Sequence, residues 1–144
     1  MRETDNGDLK LLVEGLSYSM DRRQIIEDID LRIRPGSFVG IVGPNGCGKS
    51  TLLKNIYQVL KADRGVVYLD GHRVDQVSNR QRAHSMAVMQ QENNIEFDLS
   101  VYEMVLLGRF SHQKVLGGSS AEDQRIVLAC IDEVGLKGYE KRHF

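Results

Sequence analysis

Hydrophobic and polar residues change rhythm several times along the chain. Leu9, Leu11, Leu12, Val13, Leu16 and Tyr18 mark a strand over residues 9–19, and Gly15 places a bulge in it. Asp21-Arg22-Arg23 is a polar turn. Ile25, Ile29, Leu31 and Ile33 then fall on odd positions between Asp28, Asp30, Arg32 and Arg34. Ile26 and Glu27 break that alternation at its start, and from Asp28 onward it predicts a half-exposed antiparallel strand. Pro35-Gly36 turns the chain. Residues 37–42, Ser-Phe-Val-Gly-Ile-Val, form a short apolar β-branched run, the composition of a buried parallel strand. Leu52, Leu53, Ile56, Val59 and Leu60 follow at one-face helical spacing and predict a helix over 49–60.

The second half repeats the same alphabet with more helix. Residues 66–69, Val-Val-Tyr-Leu, read as a strand closed by the hairpin dipeptide Asp70-Gly71, with Arg73-Val74 returning antiparallel. Residues 78–85 are helix-compatible, with Ser78 as N-cap. Residues 86–89, Met-Ala-Val-Met, predict a second buried strand. Ser100-Val101-Tyr102-Glu103 is a capping box for a helix that Gly108 ends. A helix over 120–134 carries Ile126, Val127, Cys130, Ile131 and Val134 as its apolar face, and Gly135 stops it. The expected organisation is a flexible tail over 1–8, a β-rich core over 9–92 and a helical segment over 93–144.

Composition narrows the class only slightly. The chain has 144 residues, 41% hydrophobic and 27% charged, ordinary for a globular domain. A net charge of −1 supplies no global attraction to nucleic acid, and no nucleic-acid partner is expected. The longest apolar runs fall far short of the roughly 20 residues that span a bilayer. Two cysteines, Cys47 and Cys130, give neither a disulfide framework nor metal-ligand spacing. Cys130 is expected inside the helix core, and the four histidines are read as surface or locally bonded residues.

The chemistry concentrates between the run 37–42 and the helix after it. Gly43-Pro44-Asn45-Gly46-Cys47-Gly48-Lys49-Ser50-Thr51 fits G-x-x-x-x-G-K-[S/T]. Glycines let successive backbone N–H groups point at one centre, and the following helix adds its unpaired donors and dipole. Lys49 can reach the β- and γ-phosphates of a nucleotide, and the Ser50 hydroxyl can sit on Mg²⁺. Strand, glycine loop and helix together predict nucleotide binding. Cys47 stands among these donors beside Lys49, so alkylation there is expected to be blocked by ATP.

These residues resemble the N-terminal part of an ATP-binding cassette (ABC) ATPase. The resemblance is carried by residues 29–36, by Gly43 to Leu53, by residues 65–71, by residues 86–91 and by 101–109, ending Leu-Leu-Gly-Arg. Within the family the chain is most similar to ATPase subunits of importers for iron–siderophore complexes, haem and cobalamin. The implied fold class is α/β, a P-loop NTPase of the ABC type with an N-terminal antiparallel β subdomain and the start of a helical subdomain. The implied ligands are ATP and Mg²⁺. Gln91 takes the place of the family's Q-loop glutamine, which contacts Mg²⁺ and the attacking water, although Gln90 stands where many members have Pro. Lys49 and Gln91 are the implied catalytic residues, and Ser50 and Gln91 the implied Mg²⁺ ligands. The adenine-stacking aromatic of the family falls at Met20; either Met20 covers the base or Tyr18, two residues earlier on the same strand face, substitutes. The implied partners are membrane-spanning permease subunits received by the helical subdomain and a second ATPase subunit, at the cytoplasmic face of the cell membrane.

Several family elements are missing. The Walker B Asp, its adjacent Glu, the switch His and the Leu-Ser-Gly-Gly signature do not occur, and Ile131-Asp132-Glu133 falls on a predicted helix. The expectation is therefore a truncated cassette that carries the nucleotide-binding half and is not competent for hydrolysis alone. The alternative is a noncatalytic nucleotide-binding module.

Overall fold

A computed structural model describes residues 9–89, 98–113 and 118–143. They form two units, one up to Val88 and one from Met89 onward. The first holds a four-stranded antiparallel sheet in the order β2-β1-β3-β4: β1 (Leu11–Met20), β2 (Arg23–Ile33), β3 (Arg64–Leu69) and β4 (His72–Arg73). Helix α1 (Lys49–Ile56) and α2 (Asn79–Ser85) complete it. The core lies on one sheet face, where Val13, Leu16, Ile26 and Val67 meet Leu52 and Ile56 of α1 and Val74.

The bulge predicted at Gly15 is present. Gly15 sits at φ 58, the β1–β2 register shifts between Val13 and Leu16, and Asp28 on the facing strand is also left-handed at φ 48. Side chains close the break: Asp30 accepts the Gly15 N–H at 2.8 Å, and Ser17 Oγ accepts the Asp28 N–H at 2.9 Å. On the other edge β3 passes so near that a Cβ on Gly65 would meet the Gly15 and Glu14 carbonyl oxygens at 2.5 and 2.6 Å. Asp70 and Gly71, at φ 49 and 75, make the expected tight hairpin into β4.

Three expectations for residues 37–89 are corrected. Residues 37–42 form no strand: Phe38 and Val42 are 101% and 96% exposed. Residues 86–89 form none either, and Met89 is 94% exposed. A strand buried on both faces needs ladder partners and a covering layer, and no described residue supplies them. Helix α1 stops at Ile56 rather than 60. Gln58 adopts φ 64, its N–H donates to Asn55 O, and the Val59 N–H reaches back to Lys54 O. That is a Schellman exit with glutamine where glycine is usual.

In the second unit, α3 (Val101–Leu107) packs Val101, Val105 and Leu106 against Val127 and Ile131 of α4 (Ala121–Glu133). Ser100 and Ser120 each open their helix with a reciprocal capping box, using Glu103 and Asp123. Gly135, at φ 74, ends α4 as expected. Cys130 is exposed, contrary to the core position expected. The buried stripe of α4 is narrow, built on Asp123, Val127 and Ile131, and Val134 also lies outside it. Ile131, Asp132 and Glu133 are helical, as expected.

Asp123 ties the unit together. It accepts from Ser120 Oγ at 2.7 Å, from the Ser120 N–H at 3.0 Å and from Arg109 Nε at 2.9 Å. Hydrogen bonds from the Ser120 hydroxyl and N–H, then from Arg109, lower its pKa from 3.8 to about 2.

Two predictions follow from this packing. Gly65→Ala should cost about 3 kcal/mol, because it adds a backbone clash to a left-handed φ of 86. Gly71→Ala, left-handed but with open space around it, should cost only about 1 kcal/mol. Equal shifts in the urea midpoint would rule out the close approach as the cause. The lowered Asp123 pKa favours the folded, ionised form, so its stabilisation is complete above the ordinary value of 3.8 and is lost as pH falls toward about 2. Asp123→Asn should therefore flatten the acid limb of the stability–pH curve and lower its plateau near neutral pH.

Candidate functional site

The loop from Gly43 to Thr51 joins the extended run to α1. Gly46 and Gly48 are left-handed, at φ 81 and 96, conformations that glycine adopts without penalty. Gly48 is also the N-cap of α1, and no side chain caps that helix. The other three helices among the described residues each open with a complete serine capping box, at Ser78, Ser100 and Ser120. The first turn of α1 therefore keeps its N–H donors unpaired, with no acidic residue beside them, which is the arrangement an anion requires.

Gly48 is also a contact point. A Cβ there would lie 2.8 Å from Ile26 Cγ2 and 3.0 Å from the Ile25 carbonyl oxygen. The helix start is thus pressed onto β2, and Leu52 and Ile56 continue the contact into the core. The loop is seated on the sheet at Gly48, and within it the Cys47 N–H donates to Pro44 O at 3.4 Å. One turn further on, Asn55 is fully buried and donates Nδ2 to Thr51 O at 2.8 Å.

Lys49 folds across the loop. Its Nζ donates to Gly43 O and Pro44 O, both at 2.8 Å, and lies 3.9 Å from Cys47 Sγ. The ammonium is held at the loop mouth by neutral carbonyls, which phosphate oxygens outcompete as acceptors. Ser50 lies exposed in the first helical turn, and Asn45 and Cys47 are exposed on the loop. Glycine backbone, uncapped donors and a lysine at the mouth fit a polyphosphate. Ser50 is the residue here whose hydroxyl could add a magnesium ligand.

Other residues named from sequence are distributed unevenly. Tyr18 is partly buried and packs against the core, opposite Ile26. Met20 is exposed at the end of β1. Gln90 and Gln91 lie outside the described residues. Sequence reasoning missed Ile25 and Ile26 as the seat of Gly48. Their adjacency, which breaks the alternation, was the available signal, because it marks a bulge where both side chains can serve one face.

Such a loop on such a sheet defines a phosphate-binding nucleotide fold. The sequence model of the ABC transporter family matches residues 26–144, and the chain belongs to that family. It is 36% identical over 132 residues to the iron(3+)-hydroxamate import ATP-binding protein FhuC of Bacillus subtilis, covering 92% of this chain and 49% of that protein. It is 30% identical over 127 residues to the ferric enterobactin transport ATP-binding protein FepC of Escherichia coli, covering 88% and 47%. Among solved structures it resembles cbiO1 of Clostridium perfringens, part of the ABC transporter complex cbiONQ. There the TM-score is 0.77 at 26% identity, over 94% of this chain and 54% of that one. The chain spans about half the length of the curated relatives it matches.

The two exposed cysteines allow an internal comparison. Cys47 alkylation should slow at least severalfold when ATP and Mg²⁺ are added, while Cys130 labels at an unchanged rate. Peptide-resolved mass spectrometry separates the two. Equal protection of both, or of neither, contradicts nucleotide occupancy of the loop.

Proposed function

We propose that this chain is the nucleotide-binding portion of an ABC importer ATPase, binding ATP at Gly43 to Thr51. The observation that carries the reading is the uncapped, left-handed start of α1 at Gly48, with the Lys49 ammonium held at the loop mouth. Backbone N–H groups of the first turn and Lys49 bind and orient the phosphates, which is most of what protein contributes to phosphoryl transfer. Ser50, and Gln91 as the family resemblance implies, would hold Mg²⁺, which would supply charge neutralisation at the phosphates. The intact ATPase couples hydrolysis to uptake of an iron–siderophore or haem type of substrate, as the names of its relatives suggest, or of cobalamin, which the resemblance of the sequence also implies. Its helical unit receives membrane-spanning permease subunits, and a second ATPase subunit completes the pair at the cytoplasmic face of the membrane. No helix among the described residues is long and apolar enough to cross a membrane, which accords with a peripheral subunit.

A second reading is a noncatalytic nucleotide-binding module. It is favoured by Asp132 and Glu133, the sequence's late acidic pair, lying on α4 with Asp132 bound to Lys137 rather than at a strand end. Titration calorimetry with Mg-ATP and a phosphate-release assay separate the two readings. Lys49→Ala should weaken ATP binding about 10- to 100-fold, the worth of a charged hydrogen bond. The 144-residue chain itself should release phosphate no faster than this variant. Unchanged ATP affinity in Lys49→Ala would remove the basis of both readings, whereas turnover above that background would discard the second.

A further inference from the structure

The stretch that leaves α1 and the turn that follows β4 line a cleft of about 400 Å³. That is the size of a small-molecule site. Its floor is apolar and reaches Leu16, Val67 and Val74, each at most 3% exposed. Lys61 and Ala62 line it from the α1 exit, Asp75 from the turn after β4 and Arg82 from α2. The sheet does not close over this cleft. β4 pairs with Tyr68 and Leu69, the Val74 N–H donates to Val67 O at 3.0 Å, and the ladder ends there. No described strand pairs with Gly65 and Val66 on that edge.

The charged side chains of the lining differ in what holds them. Arg82 fastens its wall: Nη1 donates to Val74 O at 2.8 Å and Nη2 to Asn79 Oδ1. Asp75 accepts from Arg73 Nε at 3.1 Å and from Arg73 Nη2 at 2.8 Å. Lys61 is exposed and has no hydrogen-bond or ion-pair partner among the described residues. Its charge nevertheless reaches Asp75: the Arg73 hydrogen bond does most to lower that carboxyl's pKa, and Lys61 adds to the lowering. An unengaged cation beside a carboxylate suits a monoanion. A dianion would set its second charge against Asp75.

We infer that this cleft binds a small carboxylate with an apolar body, its carboxylate at Lys61 and its body over Leu16, Val67 and Val74. Burial of the body supplies most of the affinity, and the ammonium fixes the orientation. The cleft shares no residue with the loop from Gly43 to Thr51, so the inference stands apart from nucleotide binding.

Octanoate, its neutral isostere octanamide and octyl phosphate are the probes. Amide shifts of the isotope-labelled chain report binding, with tripolyphosphate and Mg²⁺ present to keep carboxylates off the phosphate loop. Octanoate should bind with a Kd of about a millimolar and shift the amides of Ala62, Gly65 and Val67. Octanamide and octyl phosphate should each bind about threefold more weakly. Lys61→Gln should lower octanoate affinity to the octanamide level and leave octanamide unchanged. Asp75→Asn should raise octyl phosphate to at least the octanoate level. Ala62→Leu, which fills the cleft, should weaken all three. Circular dichroism checks that each variant keeps the wild-type fold, and the exposed Lys61 position decides the matter if Ala62→Leu does not. Equal wild-type affinities for octanoate and octanamide, octanoate binding unchanged in Lys61→Gln, or shifts centred on residues 37–42 and 86–89 overturn the inference.

Discussion

Gly48 has no room for a side chain, and much of the first unit depends on that. Its missing Cβ lets α1 start against Ile25 and Ile26, which lets Leu52 and Ile56 close over the sheet. Its left-handed φ aims the chain from an extended run into a helix within one residue. Because it is glycine, no side chain caps α1, and the helix's first donors stay available. Seating, direction and uncapped donors thus come from one backbone position. A serine there would supply a cap of the kind seen at Ser78, Ser100 and Ser120, and would both occupy the donors and collide with β2. The serine box that caps the other three helices among the described residues is absent from α1, and its donors are left open to an anion.

The turns of the loop at Gly46 and Gly48 were legible because left-handed backbone calls for glycine at fixed positions, and local chemistry alone specifies it. The Ser100 capping box, the Asp70-Gly71 hairpin and the Gly15 bulge were legible for the same reason. What failed to appear were the features set by partners distant in sequence. The runs 37–42 and 86–89 have strand composition, yet composition stabilises a strand only against neighbours. Among the described residues those neighbours are lacking, and the chain spans about half the length of its relatives. The two observations agree. Cys130 was misplaced by a different error: the apolar stripe of α4 was read too wide, and the helix buries only the narrow face turned to α3. The exit of α1 through Gln58 was hidden because a left-handed glutamine carries no sequence signal.

The second unit shows how a small piece compensates for a thin core. Among the described residues, only Val101, Val127 and Ile131 are buried in its apolar cluster. Polar closure adds the rest. The Val101 and Tyr102 N–H groups, unpaired within α3, donate to Arg142 O and Glu140 O at 2.9 Å. Asp123 caps α4 and holds Arg109 from the end of α3 with the same carboxylate. Nothing in the spacing of Arg109 and Asp123 announces that bond, since it crosses the 114–117 stretch that lies outside the described residues.

The seat of Gly48 is itself a matter of strand register. Ile26 stands opposite Tyr18, whereas Gln24 and Arg23 stand opposite Ser19 and Met20, so Ile25 is the extra residue on β2. Without that bulge, a strand holding Ile26 opposite Tyr18 would set Gln24 rather than Arg23 against Met20. The inserted residue puts two successive isoleucines where α1 begins, and a Cβ on Gly48 would meet both of them. One extra residue on β2 and one missing side chain at Gly48 are therefore the two halves of a single contact.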